Sequence, residues 1–151
     1  MKDSHSQPYD KAEEAVNNFL QGCNCCQSIF CTYGPSLGIE KEEAMKLAEA
    51  FGGSVMARTC GAVSGSLMTL GLKYGRTQCD QTENKEKTRD LAKKFNQLFE
   101  EKHQSTQCRD LLGHDISTKE GNEAAAQKNL SKTVCPNFVR DAAKILEQLL
   151  V

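Results

Sequence analysis

FGGSVMARTCGAVSGSLMTLGLKYG, residues Phe51–Gly75, is the stretch whose reading decides the fold. From Gly61 to Leu72 it carries no charged residue. Val63, Leu67, Met68, Leu70 and Leu72 leave no polar face wide enough for solvent. A helix here is therefore expected to be buried on most sides, and to be the most enclosed in the molecule. Gly61 and Gly65 stand four apart, as do Gly71 and Gly75. A glycine in mid-helix costs about 1 kcal/mol against alanine. Close approach of a neighbouring backbone offsets that cost, because no Cβ intervenes. Cys60 falls at the start of this helix, two residues after Arg58. Unpaired N–H groups and the macrodipole favour a thiolate there, so its pKa is expected below the free-cysteine value of about 8.5.

The rest of the chain fits around such a helix. A length of 151 residues suits one domain with a core large enough to fold without staples. Alanine, leucine, lysine, glutamate and glutamine dominate, prolines number three, and β-branched runs are few, a composition that reads all-α. The net charge of −1 offers no basic field for nucleic acid or an anionic membrane. Tryptophan is absent and aromatics make up 6%, which argues against a stacking surface for bases or sugars. No run reaches the roughly 18 apolar residues of a membrane span. The opening MKDSHSQPYDKAEE lacks the apolar segment of a signal peptide, so the expected compartment is the cytoplasm. Disulfides are uncommon there, and eight cysteines then point to metal binding or redox chemistry.

Residues 1–9 read as a disordered lead-in to a single helical domain over 10–151. Asp10-Lys11-Ala12-Glu13 has capping-box spacing, and Ala12, Val16, Phe19 and Leu20 form an apolar stripe that Gly22 closes. Asn24 is the N-cap expected for a second helix through about Tyr33, broken at Gly34-Pro35-Ser36. Glu40–Phe51 reads as a third, carrying Ala44, Leu47, Ala48 and Phe51 inward. After the central helix, Asp80-Gln81-Thr82-Glu83 is expected to cap a long charged helix to about His103, with Leu91, Phe95, Leu98 and Phe99 as its buried stripe. A short helical turn ends at Leu112-Gly113, and Ser117-Thr118-Lys119-Glu120 caps a weak helix. Cys135-Pro136 then opens Asn137–Leu150, whose apolar face is Phe138, Ala142, Ile145, Leu146 and Leu149. The sum is a bundle of about six to seven helices around a buried glycine-rich one.

Four cysteines share a context: Cys25, Cys60, Cys108 and Cys135 each fall at, or within a turn of, an expected helix start. Helix N-termini stabilise thiolate, the form that ligates metals and attacks disulfides. Arg58 and Arg109 lie close in sequence to two of the four. Such a set suggests helix ends converging on one pocket. The competing reading is that these are small buried hydrophobes. Their spacing matches neither paired zinc knuckles nor ferredoxin runs. Cys23 and Cys26 make a C-x-x-C, but Cys25 between them means the neighbours cannot all face one way. Cys31 reads as a packing residue and Cys79 as an exposed thiol. His5 and His103 are expected in solvent and His114 in a loop. No Ser/His/Asp order, phosphate loop or HExxH motif occurs.

On these residues the chain resembles the C_GCAxxG_C_C family of redox-active proteins, small bacterial and archaeal helical proteins. The resemblance runs from about Ala12 to Leu146. The family's first cysteine falls on Cys25 in Gly22-Cys23-Asn24-Cys25-Cys26-Gln27, and the second on Cys60 in Cys60-Gly61-Ala62-Val63-Ser64-Gly65. Phe51-Gly52-Gly53 and Gly71-x-x-Tyr74-Gly75 flank that motif. The third falls on Cys108, ahead of Leu111-Leu112-Gly113, and the fourth on Cys135, ahead of Phe138-Val139. Cysteines at 23 and 26 depart from the pattern and leave open which thiol of the C-x-C-C group enters the site. The resemblance implies redox activity or metal or iron–sulfur binding, without a substrate.

Four functions then compete. The leading one is an electron-transfer protein holding an iron–sulfur cluster on Cys25, Cys60, Cys108 and Cys135. A cofactor-free thiol–disulfide oxidoreductase would use Cys60 as nucleophile. A zinc or other thiophilic-metal protein would bind through the same four cysteines without turnover. In a helical interaction module the cysteines would merely pack. The expected partner is a redox protein, with a homo-oligomer compatible with the sequence and no nucleic acid or membrane insertion.

Overall fold

A computed structural model of the chain describes residues 10–52 and 58–151. The lead-in expected over residues 1–9 lies outside that range, as do residues 53–57 of the opening stretch. The described residues form an all-α domain: α1 (Lys11–Leu20), α2 (Cys25–Tyr33), α3 (Lys41–Ala48), α4 (Gly61–Tyr74), α5 (Thr82–His103), α6 (Cys108–Leu112), α7 (Lys119–Gln127), α8 (Leu130–Thr133) and α9 (Cys135–Leu149), with 3-10 turns at Pro35–Leu37 and Glu49–Phe51. The short α6 and α8 carry the count past the expected six to seven. No helix among the described residues is long and apolar enough to cross a membrane.

Local chemistry sets most of these boundaries. Asp10 caps α1 by accepting from the Ala12 and Glu13 N–H groups at 3.0 and 3.3 Å. At the start of α2 the Gln27 N–H donates to the Asn24 side chain at 2.8 Å, and the Asn24 N–H donates to the Gln27 side chain at 3.0 Å, a complete capping box. Thr118 caps α7 through the Gly121 N–H. The expected cap at Asp80 does not form. α5 begins after Gln81, whose side-chain oxygen is engaged by the Thr77 N–H at 2.8 Å instead.

α4 packs chiefly along α2, and also against α5 and α9, while α1 lies on α9 and α2. One core joins Ala15, Val16, Ile29, Val63, Leu70, Phe95, Phe99, Val139, Ala142 and Leu146. The glycine argument holds for one end of α4. A Cβ on Gly65 would fall 2.8 Å from the Cys26 carbonyl oxygen and 3.1 Å from Ile29 Cβ, and one on Gly61 would fall 2.7 Å from Cys25 Cβ. Both glycines are required for α2 and α4 to meet. A Cβ on Gly71 would meet nothing, and one on Gly75 would meet only the Gly71 segment of its own helix.

Several expectations are corrected. α2 is the more enclosed helix, buried at every position from Cys26 to Tyr33, whereas α4 leaves Leu72 exposed and Leu67 and Met68 half-covered. Polar residues on α2 masked this in the sequence. Ser28 and Thr32 are buried because each hydroxyl donates to the carbonyl four residues back, Asn24 at 2.8 Å and Ser28 at 2.7 Å. Leu47 and Phe51 are exposed, since α3 meets α2 through Ala44 and Ala48, with Met45 partly buried beside them. Leu20 is exposed at the end of α1. His103 is largely covered rather than solvated: its ring packs on Phe99 and Phe138, and Nε2 stands 3.0 Å from Asp141 Oδ2.

Candidate functional site

Cys25, Cys60, Cys108 and Cys135 line one cavity of about 650 Å³. Each is brought there by a helix start. Cys25, Cys108 and Cys135 open α2, α6 and α9, and Cys60 immediately precedes α4. Close packing at Gly61 carries Cys60 beside Cys25, because any side chain there would displace the Cys25 Cβ.

A small backbone clamp holds the third cysteine to the second. Thr59 and Gln107 form an antiparallel bridge, in which the Cys60 N–H donates to the Thr106 carbonyl at 2.7 Å and the Cys108 N–H donates to the Arg58 carbonyl at 2.5 Å. This pairing spans 48 residues of sequence and could not be read from helix periodicity. The signal available was Arg58-Thr59 ahead of one cysteine and Thr106-Gln107 ahead of another, two short polar segments with no helical pattern of their own.

Cys25 and Cys135 act on one another through a side-chain hydrogen bond, with Cys25 the donor and Cys135 the acceptor. Cys25 keeps the proton and its pKa is pushed well up, first by that bond and then by burial and the other three thiols. Accepting the bond holds Cys135 below the ordinary thiol value. Burial raises Cys60 to about 12, although the Ala62 and Val63 N–H groups at the head of α4 pull the other way. Cys108 rises to about 11, first by burial and then through Cys135 and Asp115.

The expected low pKa at Cys60 is thus overturned. The helix terminus acts in the anticipated direction, but a thiol only 4% exposed loses more by desolvation than two N–H groups return. Arg58 lines the cavity with its side chain exposed and is not among the groups that move Cys60.

The remaining cysteines separate cleanly. Cys26 is fully buried on the other side of α2, packed with Phe30, Cys31, Ala44 and Ala48, its Sγ 3.5 Å from Met68 Sδ. Cys23 and Cys31 line a second, smaller groove with Met45 and Lys41. Cys79 is exposed. Of the C-x-C-C group, then, Cys25 is the thiol that lines the cavity.

Asn24, Ser64, Asn122 and Ser131 also line it, none of them expected at the site from the sequence, which marks Asn24 as a helix cap alone. Asn24 is fixed from both sides, since its side-chain N–H also donates to the Glu49 carbonyl at 3.0 Å. That bond ties the head of α2 to the 3-10 turn before Gly52.

The family described as "Putative redox-active protein (C_GCAxxG_C_C)" matches residues 23–149. The chain belongs to this family. The four cysteines on which the resemblance places the family's pattern share the cavity. No curated protein and no solved structure matches the chain.

Whether these residues fit a metal depends on its size. Among the described residues no three of His, Cys, Asp and Glu stand together as a set for one metal ion. A single tetrahedral zinc would draw its sulfurs within about 4 Å of one another, given bonds of about 2.3 Å. A [4Fe–4S] cluster takes its four thiolates on four separate irons, so its ligands stand wider apart. Four thiols around one cavity suit the larger group.

Proposed function

We propose that this C_GCAxxG_C_C protein is an electron carrier whose Cys25, Cys60, Cys108 and Cys135 hold an iron–sulfur cluster. The observation that carries the reading is the meeting of four helix-start thiols at one largely apolar cavity. Burial keeps Cys60 and Cys108 protonated at neutral pH in the absence of a cation, and the bond to Cys135 together with burial does the same for Cys25. Four thiolates in such a place are tolerable only when a positively charged group compensates them. A bound cluster supplies one-electron redox chemistry. The chain's own part is to present four sulfurs on fixed helix ends in a largely apolar cavity, with the Ala62 and Val63 N–H groups at the head of α4 near the Cys60 sulfur. Such N–H groups and such surroundings tune a potential.

A second reading has its own observation. The Cys25–Cys135 pair, one thiol raised and the other lowered, resembles the resting state of a dithiol, with Cys135 as the attacking sulfur and Cys25 as its resolving neighbour. Cys60, the nucleophile expected from sequence, is replaced in that role because its thiol is the harder to ionise.

Anaerobic purification followed by iron and acid-labile sulfide analysis, with an absorption spectrum, decides between them. The cluster reading expects iron and sulfide in near-equal amounts and their loss in Cys60→Ser and Cys108→Ser. Protein free of both, with a Cys25–Cys135 disulfide forming under mild oxidant, would replace it with the dithiol reading.

A further inference from the structure

The thiols occupy only part of their cavity. With metal–sulfur bonds of about 2.3 Å, an inorganic core spans a few ångströms, whereas about 650 Å³ is a volume typical of small-molecule sites. The surplus is walled by Phe19, Leu67, Leu111, Leu112, Ile116 and Phe138. Most of these side chains are half-buried, so the wall is a continuous apolar surface open to an entering molecule.

The lining also says what does not enter. Among the described residues that form it, Arg58 is the one charged side chain, and it is exposed. A thiol-reactive peptide such as oxidised glutathione carries several charges of both signs. Inside this wall those charges would lose their water, and the described lining offers them one exposed guanidinium and no carboxylate in return. An uncharged ring molecule loses little water, gains contact with two phenylalanine rings and three leucines, and finds hydrogen-bond groups for a carbonyl at Asn122 and Ser131.

We propose that the apolar part of this cavity binds a small uncharged quinone, held beside the four thiols as the oxidant of that site. It takes two electrons and two protons to become the hydroquinone, either from two thiols that are left as a disulfide, or one electron at a time from a reduced cluster with the protons drawn from solvent. The inference rests on the redox reading but not on the identity of the cofactor, because the binding wall consists of residues other than the cysteines.

Equilibrium dialysis of the anaerobically purified full-length chain against duroquinone tests it. The fully methylated ring of that probe resists thiol addition. The expected result is saturable binding of one duroquinone per chain, with no saturable binding of oxidised glutathione. Leu67→Trp and Leu112→Trp, which fill the cavity from two different helices, are each expected to weaken binding at least tenfold while the protein remains helical by circular dichroism. Absence of saturable duroquinone binding, preference for glutathione, or undiminished binding in a folded filling variant would each overturn the proposal. If both variants unfold, the wild-type comparison of the two probes decides alone. Iron and sulfide measured on the same samples keep the two conclusions apart. Quinone binding to metal-free protein would refute the cluster and leave this site standing, and a loaded cluster without quinone binding would do the reverse.

Discussion

The two ends of α4 carry the same glycine spacing and put it to different use. At the first end, Gly61 and Gly65 let α2 approach until no Cβ fits, and that approach sets Cys60 against Cys25. At the second, Gly71 faces open space and Leu72 is exposed. Small residues four apart therefore do not mark a helix contact by themselves. What distinguishes the first pair is the partner: an enclosed α2 whose polar side chains are satisfied within their own helix.

The widest test of this difference is Gly65→Val. It should cost about 3 kcal/mol through overpacking against Cys26 and Ile29, lowering the melting temperature by roughly 6–12 °C for a chain of this size. An unchanged transition in thermal denaturation would dissolve the contrast. Next in size is the pH response of the buried end. In metal-free protein the Cys60 thiol is raised to about 12 from 9.0, so the native state resists deprotonation more than the unfolded chain does. That contribution to stability is whole below pH 9 and is lost as pH climbs toward 12. Denaturant midpoints should fall over that window more steeply in wild type than in Cys60→Ala; parallel curves would reject it.

A smaller effect concerns reactivity. In metal-free protein Cys135 should alkylate first among the four cavity thiols near neutral pH, well ahead of Cys60, as mass-spectrometric mapping with iodoacetamide would reveal. Labelling of Cys60 ahead of Cys135 would restore the helix terminus as the dominant influence. The smallest change is expected at the open end of α4. Gly71→Ala should stabilise by about 0.5–1 kcal/mol, because helix propensity improves and nothing is displaced. A loss of stability there would mean that the second glycine pair is in contact after all.

The sequence carried the helical class, most caps and the four cysteines, because these depend on residues a few positions apart. Asn24 and Gln27 announce the head of α2 by their spacing alone. It misjudged Leu47 and Phe51, since nothing local tells an apolar residue that Ala44, Ala48 and Met45 already form the face packed on α2. His103 looked solvated at the end of a charged helix, yet Phe138, 35 residues on, covers it. The thiol pKa order was beyond reach for the same reason. Position at a helix start is local, while burial and the contact between Cys25 and Cys135 are products of the whole fold.

The Thr59–Gln107 bridge has a kinetic side. It joins segments that flank α4 and α5, and the cavity further needs Cys25 and Cys135 to meet across 110 residues of chain. Contacts this distant form after local helices, since the loop entropy they cost must be met before they return anything. Early in refolding, helix content should be nearly complete while the four sulfurs are still apart. During that interval the thiols are open to wrong pairing, and a cluster or a correct thiol contact can be installed only after the bridge has closed. Assembly of the centre is then the last event of folding, and oxidant present too early would trap the chain short of it.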